Sequence, residues 1–198
     1  MLSKIETLPE WLLDSADRNK GTLWQVVKAY RANLRQGTVG VKTRGMVSAT
    51  SQKPYKQKRT GNARRGSFVS PICVGGGVAH GPKARDYRQA IPTKMADLAL
   101  KIALAERIKA GRIFTGGLLI ASGKTKDAAT LIKDVTEKVG KTVICLGSVD
   151  ETTLRAFRNI RGVELISPNS LNALDIVESR RLLIAPEALK AIETRLAD

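Results

Sequence analysis

The feature that most limits what this chain can become is the way its charge is laid out. Residues 35–94 hold 13 of the 34 lysines and arginines but only one of the 18 acids, Asp86, so that window has a formal net charge of +12. The other 138 residues carry 21 basic and 17 acidic side chains, a net of +4 that suits an ordinary folded surface. The window also takes nine of the 17 glycines, and it shows neither the 3.6-residue period of an amphipathic helix nor a sustained strand alternation. A segment so charged and so weakly patterned is expected to build no core of its own. Sixty residues without regular structure inside one domain mark either a functional extension or a linker. A place between two patterned halves points to an extension, with a globular domain expected over 1–34 and 95–198.

Such a segment suits a polyanion. Lysine and arginine neutralise phosphates and release their counterions, glycines allow close backbone approach, and Tyr55, Phe68 and Tyr87 offer rings for stacking on unpaired bases. Free in solution the segment is expected to be largely disordered, ordering when RNA supplies counter-charge and a surface. The whole chain, 198 residues with 42% apolar content, a net charge of +16 and a pI near 10.3, supports one core and a nucleic-acid partner. No run of 18 apolar residues and no basic helix with an apolar face is present, so no membrane partner is expected. Two cysteines, Cys73 and Cys145, make neither a disulfide framework nor a CxxC metal motif. The first residues lack an apolar signal core and include Glu6, Glu10, Asp14 and Asp17, unlike an acid-poor transit peptide. A reducing, RNA-containing compartment is expected.

On either side of the basic window the pattern becomes regular. Thr22 is placed to cap a helix whose Leu23, Val26, Val27, Tyr30 and Leu34 share a face. Thr93 is expected to cap a helix to about Ala110, followed by a strand from Ile113 to Ala121 that Gly116 and Gly117 weaken. A helix from Thr125 to Val139, with Ala128, Leu131, Ile132, Val135 and Val139 in one stripe, leads to a strand from Thr142 to Leu146. A helix over Glu151 to Asn159, a strand from Val163 to Ile166, a short helix around Ser170 to Ala173 and a strand from Arg181 to Ala185 follow. Pro186 opens a last helix with Leu189, Ile192 and Leu196. Strands alternating with helices of crossover length predict an α/β fold: a three-layer, doubly wound, mainly parallel sheet with the long basic loop inserted.

Folds of this kind often bind nucleotides at the carboxyl ends of their strands, so an enzyme is one function this fold class admits. Ser122, Gly123, Lys124 and Thr125 resemble the end of a phosphate-binding loop, but the glycine needed five positions before Gly123 is Leu118. A turn and helix start, capped by Ser122 or Thr125, accounts for the tetrapeptide. Gly75, Gly76 and Gly77 do not fit GxGxxG and suit a flexible or close-packed loop. His80 is the only histidine and lies among cations, fitting an RNA contact or loop packing better than a catalytic base. Asp127, Asp134 and Glu137 lie on a polar helix face, with Asp134 and Lys138 spaced as a surface pair. No enzyme, cofactor or metal site is expected.

Inside the basic window the residues become more specific than their composition. LRQGTVGVKTRG at Leu34 to Gly45, then QKPYKQKRTGNARRGSFVSPICVGGGVAHGP at Gln52 to Pro82, closely resembles the large-subunit ribosomal protein four family (universal ribosomal protein L-four). The RQGT, KTR, KP-aromatic, QK, TG, AR, GS and SPI elements arrive in family order, and the likeness covers nearly the whole chain. The resemblance implies a non-catalytic constituent of the large ribosomal subunit, cytoplasmic and of bacterial type or from an organelle. Its globular part would sit on the outside of the subunit while the loop threads between RNA helices, supports assembly, and narrows the peptide exit tunnel.

On that resemblance, the tunnel tip is Gln57, Lys58, Arg59, Thr60, Gly61 and Asn62, facing a ribosomal protein of the L-twenty-two family. Arg35, Lys42, Arg44, Lys53, Tyr55, Lys56, Lys58, Arg59, Arg64, Arg65, Lys83, Arg85 and Arg88 would hold large-subunit rRNA, among other subunit proteins. The commonest family pattern reads KPW, QKGTGRAR and SPIW where this chain has Tyr55, Arg59, Asn62 and Cys73. Arg59 replaces a glycine and Asn62 an arginine, so the tip's charge is expected to have moved three residues. A free-standing RNA-binding regulator using the same loop, and a nucleotide-dependent enzyme relying on Lys124 and Thr125, are the competing readings.

Overall fold

A computed structural model describes residues 2–5, 7, 9–16, 20–118, 120, 122–135 and 140–197, without the side chains of 14–16, 134 and 135. The described chain is mixed α/β, with five strands and seven helices. In order these are β1 Ser3–Lys4, α1 Glu10–Ala16, α2 Gly21–Asn33, α3 Thr93–Lys109, β2 Ile113–Thr115, α4 Thr125–Val135, β3 Thr142–Cys145, α5 Glu151–Phe157, β4 Val163–Ile166, α6 Ala173–Glu178, β5 Arg181–Ile184 and α7 Pro186–Ala197. It divides into two compact units, Met1–Ala32 with Gln89–Asp198, and Asn33–Arg88.

The first unit contains one sheet in the order β1-β2-β5-β3-β4. The pairs β2/β5, β5/β3 and β3/β4 are parallel, with Ile113 opposite Leu182, Val143 opposite Leu182 and Ile144 opposite Leu165, while β1 joins β2 antiparallel. Successive strand residues point to opposite faces, and here both faces are apolar. Val143, Cys145, Leu182 and Ile184 enter a core with Leu12, Leu23, Val26, Ile176, Ile192 and six buried residues of α3. Ile144, Leu146 and Leu183 enter a second core with Ala128, Ala156 and Phe157. Fully buried strands read as continuous apolar runs for this reason.

Several boundaries differ from the sequence reading. Thr22 lies inside α2, and Leu34 falls beyond its end, 77% exposed. Strand β2 stops at Thr115, just before Gly116 and Gly117; Leu118 and Ile120 still bury in the second core, and Leu119 and Ala121 lie outside the described residues. The end of the helix expected to Val139, with Glu137 and Lys138, also lies outside them, as do Glu6 and Asp17. The short helix is Ala173–Glu178 rather than 170–173, set by a capping box in which the Asn172 side chain accepts from the Asp175 N–H and Asp175 accepts from the Asn172 N–H. Arg107 closes the other end of α6, donating to the carbonyls of Ile176 and Val177 at 3.1 and 2.7 Å. Burial lowers the pKa of this guanidinium, with Arg112 acting in the same direction. Unforeseen elements are β1, which is exposed, and α1, which brings Leu12 and Trp11 to the first core.

Candidate nucleic-acid interface

Beyond Asn33, the last residue of α2, the second unit, Asn33–Arg88, contains no helix or strand, yet its path is defined by its own bonds. Two arms run side by side in opposite directions. At their root the Arg85 N–H donates to the Gly37 carbonyl at 3.1 Å, and further out the Val78 N–H donates to that of Lys42 at 3.0 Å. Gly37 has φ +69, and a Cβ there would overlap the Arg85 carbonyl oxygen and stand 3.1 Å from the Tyr87 ring. Only glycine meets both demands.

The root also collects charge. Tyr87, half-buried, carries the Arg35 guanidinium 3.8 Å from its ring centroid and that of Arg85 at 4.5 Å. The hydrogen bond from Arg85 holds the Tyr87 pKa below its ordinary value, against the opposing effect of burial, and the charges of Arg35 and Arg85 lower it further. Tyr87 is thus not an open base-stacking ring but a platform for two cations that are far apart in sequence. The Asp86 carboxylate accepts from the Arg88 N–H at 2.8 Å, a local turn that leaves the Arg88 side chain exposed.

The tip is braced from inside. The Lys53 ammonium donates to Gln57 Oε1 at 2.7 Å and to the Arg65 carbonyl at 3.1 Å, and the Tyr55 hydroxyl donates to the Ala63 carbonyl. Lys53 and Tyr55 therefore shape the loop itself. Gln57, Lys58, Arg59, Thr60, Gly61 and Asn62 project from this brace, all exposed. Arg59 is held at φ +68, a left-handed conformation costing an L side chain about 1 kcal/mol or more. A glycine at that position would escape this cost. Lys42, Arg44, Lys56, Arg64, Arg65, Lys83 and Arg88 are all exposed as well.

Beyond the tip the chain makes a small nucleus where none was expected. Consecutive turns link Ser70 to Ser67, Cys73 to Ser70 and Gly76 to Cys73, and the Gly77 N–H reaches back to the Val69 carbonyl at 2.9 Å. Cys73 and Gly77 are buried. A Cβ on Gly76 would overlap the Ser70 carbonyl, and one on Gly77 would overlap the Arg44 backbone, so two of the three consecutive glycines serve close packing. His80 is exposed at φ +52.

In the first unit, the Ser122–Thr125 tetrapeptide forms a turn and helix start. Ser122 Oγ bonds Asp127 Oδ2 at 2.5 Å and accepts from the Lys124 N–H at 3.4 Å, while Gly123 takes φ +62. Near the strand carboxyl ends, a cleft of about 150 Å³ is lined mainly by glycine and apolar residues, and its one ionisable group is the acid Glu187. No lysine or arginine lines it. Among the described residues there is no cluster of three or more metal-binding side chains, and no helix is long and apolar enough to cross a membrane.

Residues 12–195, from α1 to α7 and including the whole basic unit, match the family described as Ribosomal protein L4/L1 family. The chain belongs to that family. Among its relatives is the Large ribosomal subunit protein uL4 of Mycobacterium ulcerans (strain Agy99), 42% identical over 186 residues that cover 93% of this chain and 82% of the relative. The proteins of the same name from Mycobacterium leprae (strain Br4923) and Mycobacterium avium (strain 104) are also 42% identical over 93% of this chain, covering 80% and 85% of their own lengths. The L4/L1 family is structural rather than enzymatic. In this L4/L1 member the arms, brace and glycine contacts are what order the basic residues.

Proposed function

We propose that this chain is a structural constituent of the large ribosomal subunit, holding large-subunit rRNA with residues 35–94, supporting assembly, and helping to form the constriction of the peptide exit tunnel. The observation that carries the reading is the family match extending through a unit whose cations are exposed on an internally braced scaffold. Arg35 and Arg85, set together on Tyr87, form a pair for phosphate oxygens, since preorganised guanidinium groups match phosphate geometry. Lys42, Arg44, Lys56, Arg64, Arg65, Lys83 and Arg88 extend that contact along the arms, and Lys53 and Tyr55 support it. The tip, 57–62, faces the tunnel opposite a ribosomal protein of the L-twenty-two family, with Lys58 and Arg59 touching RNA. The framework around this loop, 1–34 with 95–198, is a three-layer doubly wound sheet, a reading supported by its parallel pairs and by apolar cores on both faces. The protein works in the ribosome of a bacterial-type cytoplasm.

Density-gradient sedimentation tests this, comparing the tagged chain with one lacking residues 50–80 after a high-salt wash. The intact chain is expected to remain stoichiometric with large subunits and the shortened one to be lost or loosely held. An intact chain at the top of the gradient would overturn the assignment.

A further inference from the structure

A parallel sheet flanked by helices ordinarily offers ligands the carboxyl ends of its strands, but in this chain the positive charge lies at the other edge. The connections that leave β3, β4 and β5, residues 146–150, 167–172 and 185, contain no lysine or arginine, and the first of them brings Asp150. The exit from β2 ends in Lys124. The connections that enter β2, β4 and β5 are the reverse: 110–112, 158–162 and 179–180 carry Arg112, Arg158, Arg161 and Arg180 and no acid. Arg181 opens β5, and Lys141 precedes β3.

Strand register turns these residues into a row. Ile113 lies opposite Leu182, and Thr142 opposite both Arg181 and Val163, which sets Arg112 beside Arg181 and Lys141 between Arg180 and Gly162. The Arg180 N–H donates to the Lys141 carbonyl and the Thr142 N–H to that of Gly162, each at 2.7 Å. Lys4 extends the row beyond β2, since a Cβ on Gly111 would overlap the end of its side chain. The side chains of Lys4, Arg112, Arg158, Arg161 and Arg180 are all exposed. At the β2 end, Arg107 and Arg112 line a cavity of about 300 Å³ whose one acid, Glu106, is engaged by Lys20 at 2.5 Å.

Helix carboxyl ends gather at this edge and attract cations by themselves, and Arg107 answers α6 in that way. The guanidinium groups of Arg112, Arg158 and Arg161, by contrast, bond no carbonyl and no acid among the described residues. Lys141 is balanced by Glu164 and Glu178 at 2.8 and 3.7 Å, so the excess charge sits towards the two ends of the row. None of the large exposed apolar side chains falls in the three entering connections. The centre of a protein interface is apolar and depleted of charge, whereas a phosphate backbone is held by arginine and lysine.

We propose that the amino-terminal edge of the sheet is a second RNA-contact surface, in which Lys4, Arg112, Arg158, Arg161 and Arg180 hold phosphates of large-subunit rRNA independently of residues 35–94. This rests on the ribosomal reading above. The test measures how binding of the full chain to large-subunit rRNA depends on salt. Arg112→Gln with Arg161→Gln is expected to lower the slope by about two, because each phosphate contact contributes about one. Lys124→Gln with Lys126→Gln removes the same charge from exposed lysines at the far edge and is expected to leave the slope unchanged. A slope that the arginine pair does not change, or that both pairs lower equally, overturns the surface. In parallel, p-benzoylphenylalanine replaces Arg112 or Arg161 in the full tagged chain, and purified large subunits are irradiated. RNA is expected to be labelled at both positions. Labelling of a protein, or of nothing, by a chain that is present in large subunits overturns the RNA surface and leaves the ribosomal reading intact. A chain absent from large subunits defeats both.

Discussion

Replacing Gly37 with alanine is the sharpest test of how the basic unit is built. At φ +69 an alanine pays about 1–2 kcal/mol for its conformation alone. Its Cβ would also overlap the Arg85 carbonyl, which is backbone and cannot rotate away, so the root must open. Opening removes the 3.1 Å Arg85-to-Gly37 hydrogen bond, about 0.5–1.5 kcal/mol. It also unseats the Arg35 and Arg85 guanidinium groups from the Tyr87 ring. The conformation and the hydrogen bond together put the local loss at roughly 1.5–3.5 kcal/mol, none of it from the sheet. Amide exchange should show Arg85 losing protection while the thermal midpoint of the sheet unit stays unchanged. Binding to large-subunit rRNA should weaken by about ten- to hundredfold with its salt dependence nearly intact, because every charge is still present. A Gly37→Ala chain that binds as tightly as the parent and keeps Arg85 protected would show that the closed root is not what orders these cations.

Arg59→Gly should relieve the left-handed strain and remove one contact, lowering the salt slope of rRNA binding by about one; an unchanged slope would mean that Arg59 does not touch phosphate. Arg107→Ala should take the 2.7 Å donor from the Val177 carbonyl, while that of Ile176 keeps the Ser179 hydroxyl at 2.9 Å, and cost about 1–3 kcal/mol, read as a fall of several degrees in thermal midpoint; a midpoint within one degree of the parent would refute this. Burial pushes the Cys145 thiol from its ordinary 9.0 up to about 12. Between those values the folded chain keeps a proton that the unfolded chain releases, so denaturant midpoints should fall as pH rises above about 9, and a Cys145→Ala chain should lose that part of the decline.

The sheet was legible because buried parallel strands leave unmistakable runs such as Thr142–Cys145 and Arg181–Ile184, and because Pro186 marks a helix start. What escaped was decided by tertiary contact. The two-residue β1 has no pattern to read, and its partner, Phe114 with Thr115, is over a hundred positions away. The Asn172 and Asp175 spacing was a visible capping signal overlooked beside Ser170. In the basic segment, charge alone singled out exposed cations, but not that Lys53 braces the tip or that Tyr87 lies under Arg35. Those pairings join residues 12 and 52 positions apart, and no periodicity reports them. The triple glycine was open to a flexible or a close-packed reading, and the packing of Gly76 and Gly77 chooses the second.

The hydrogen bond at the root also bears on how the chain folds. Joining the ends of a flexible excursion as long as that from Gly37 to Arg85 costs on the order of 3 kcal/mol of chain entropy, and it grows only logarithmically with length. Because its two feet meet each other, that excursion can lengthen, shorten or be cut away while presenting the same narrow base. The sheet can then complete its own folding before the tip has found anything to hold, and the tip can be rebuilt by mutation without renegotiating the sheet.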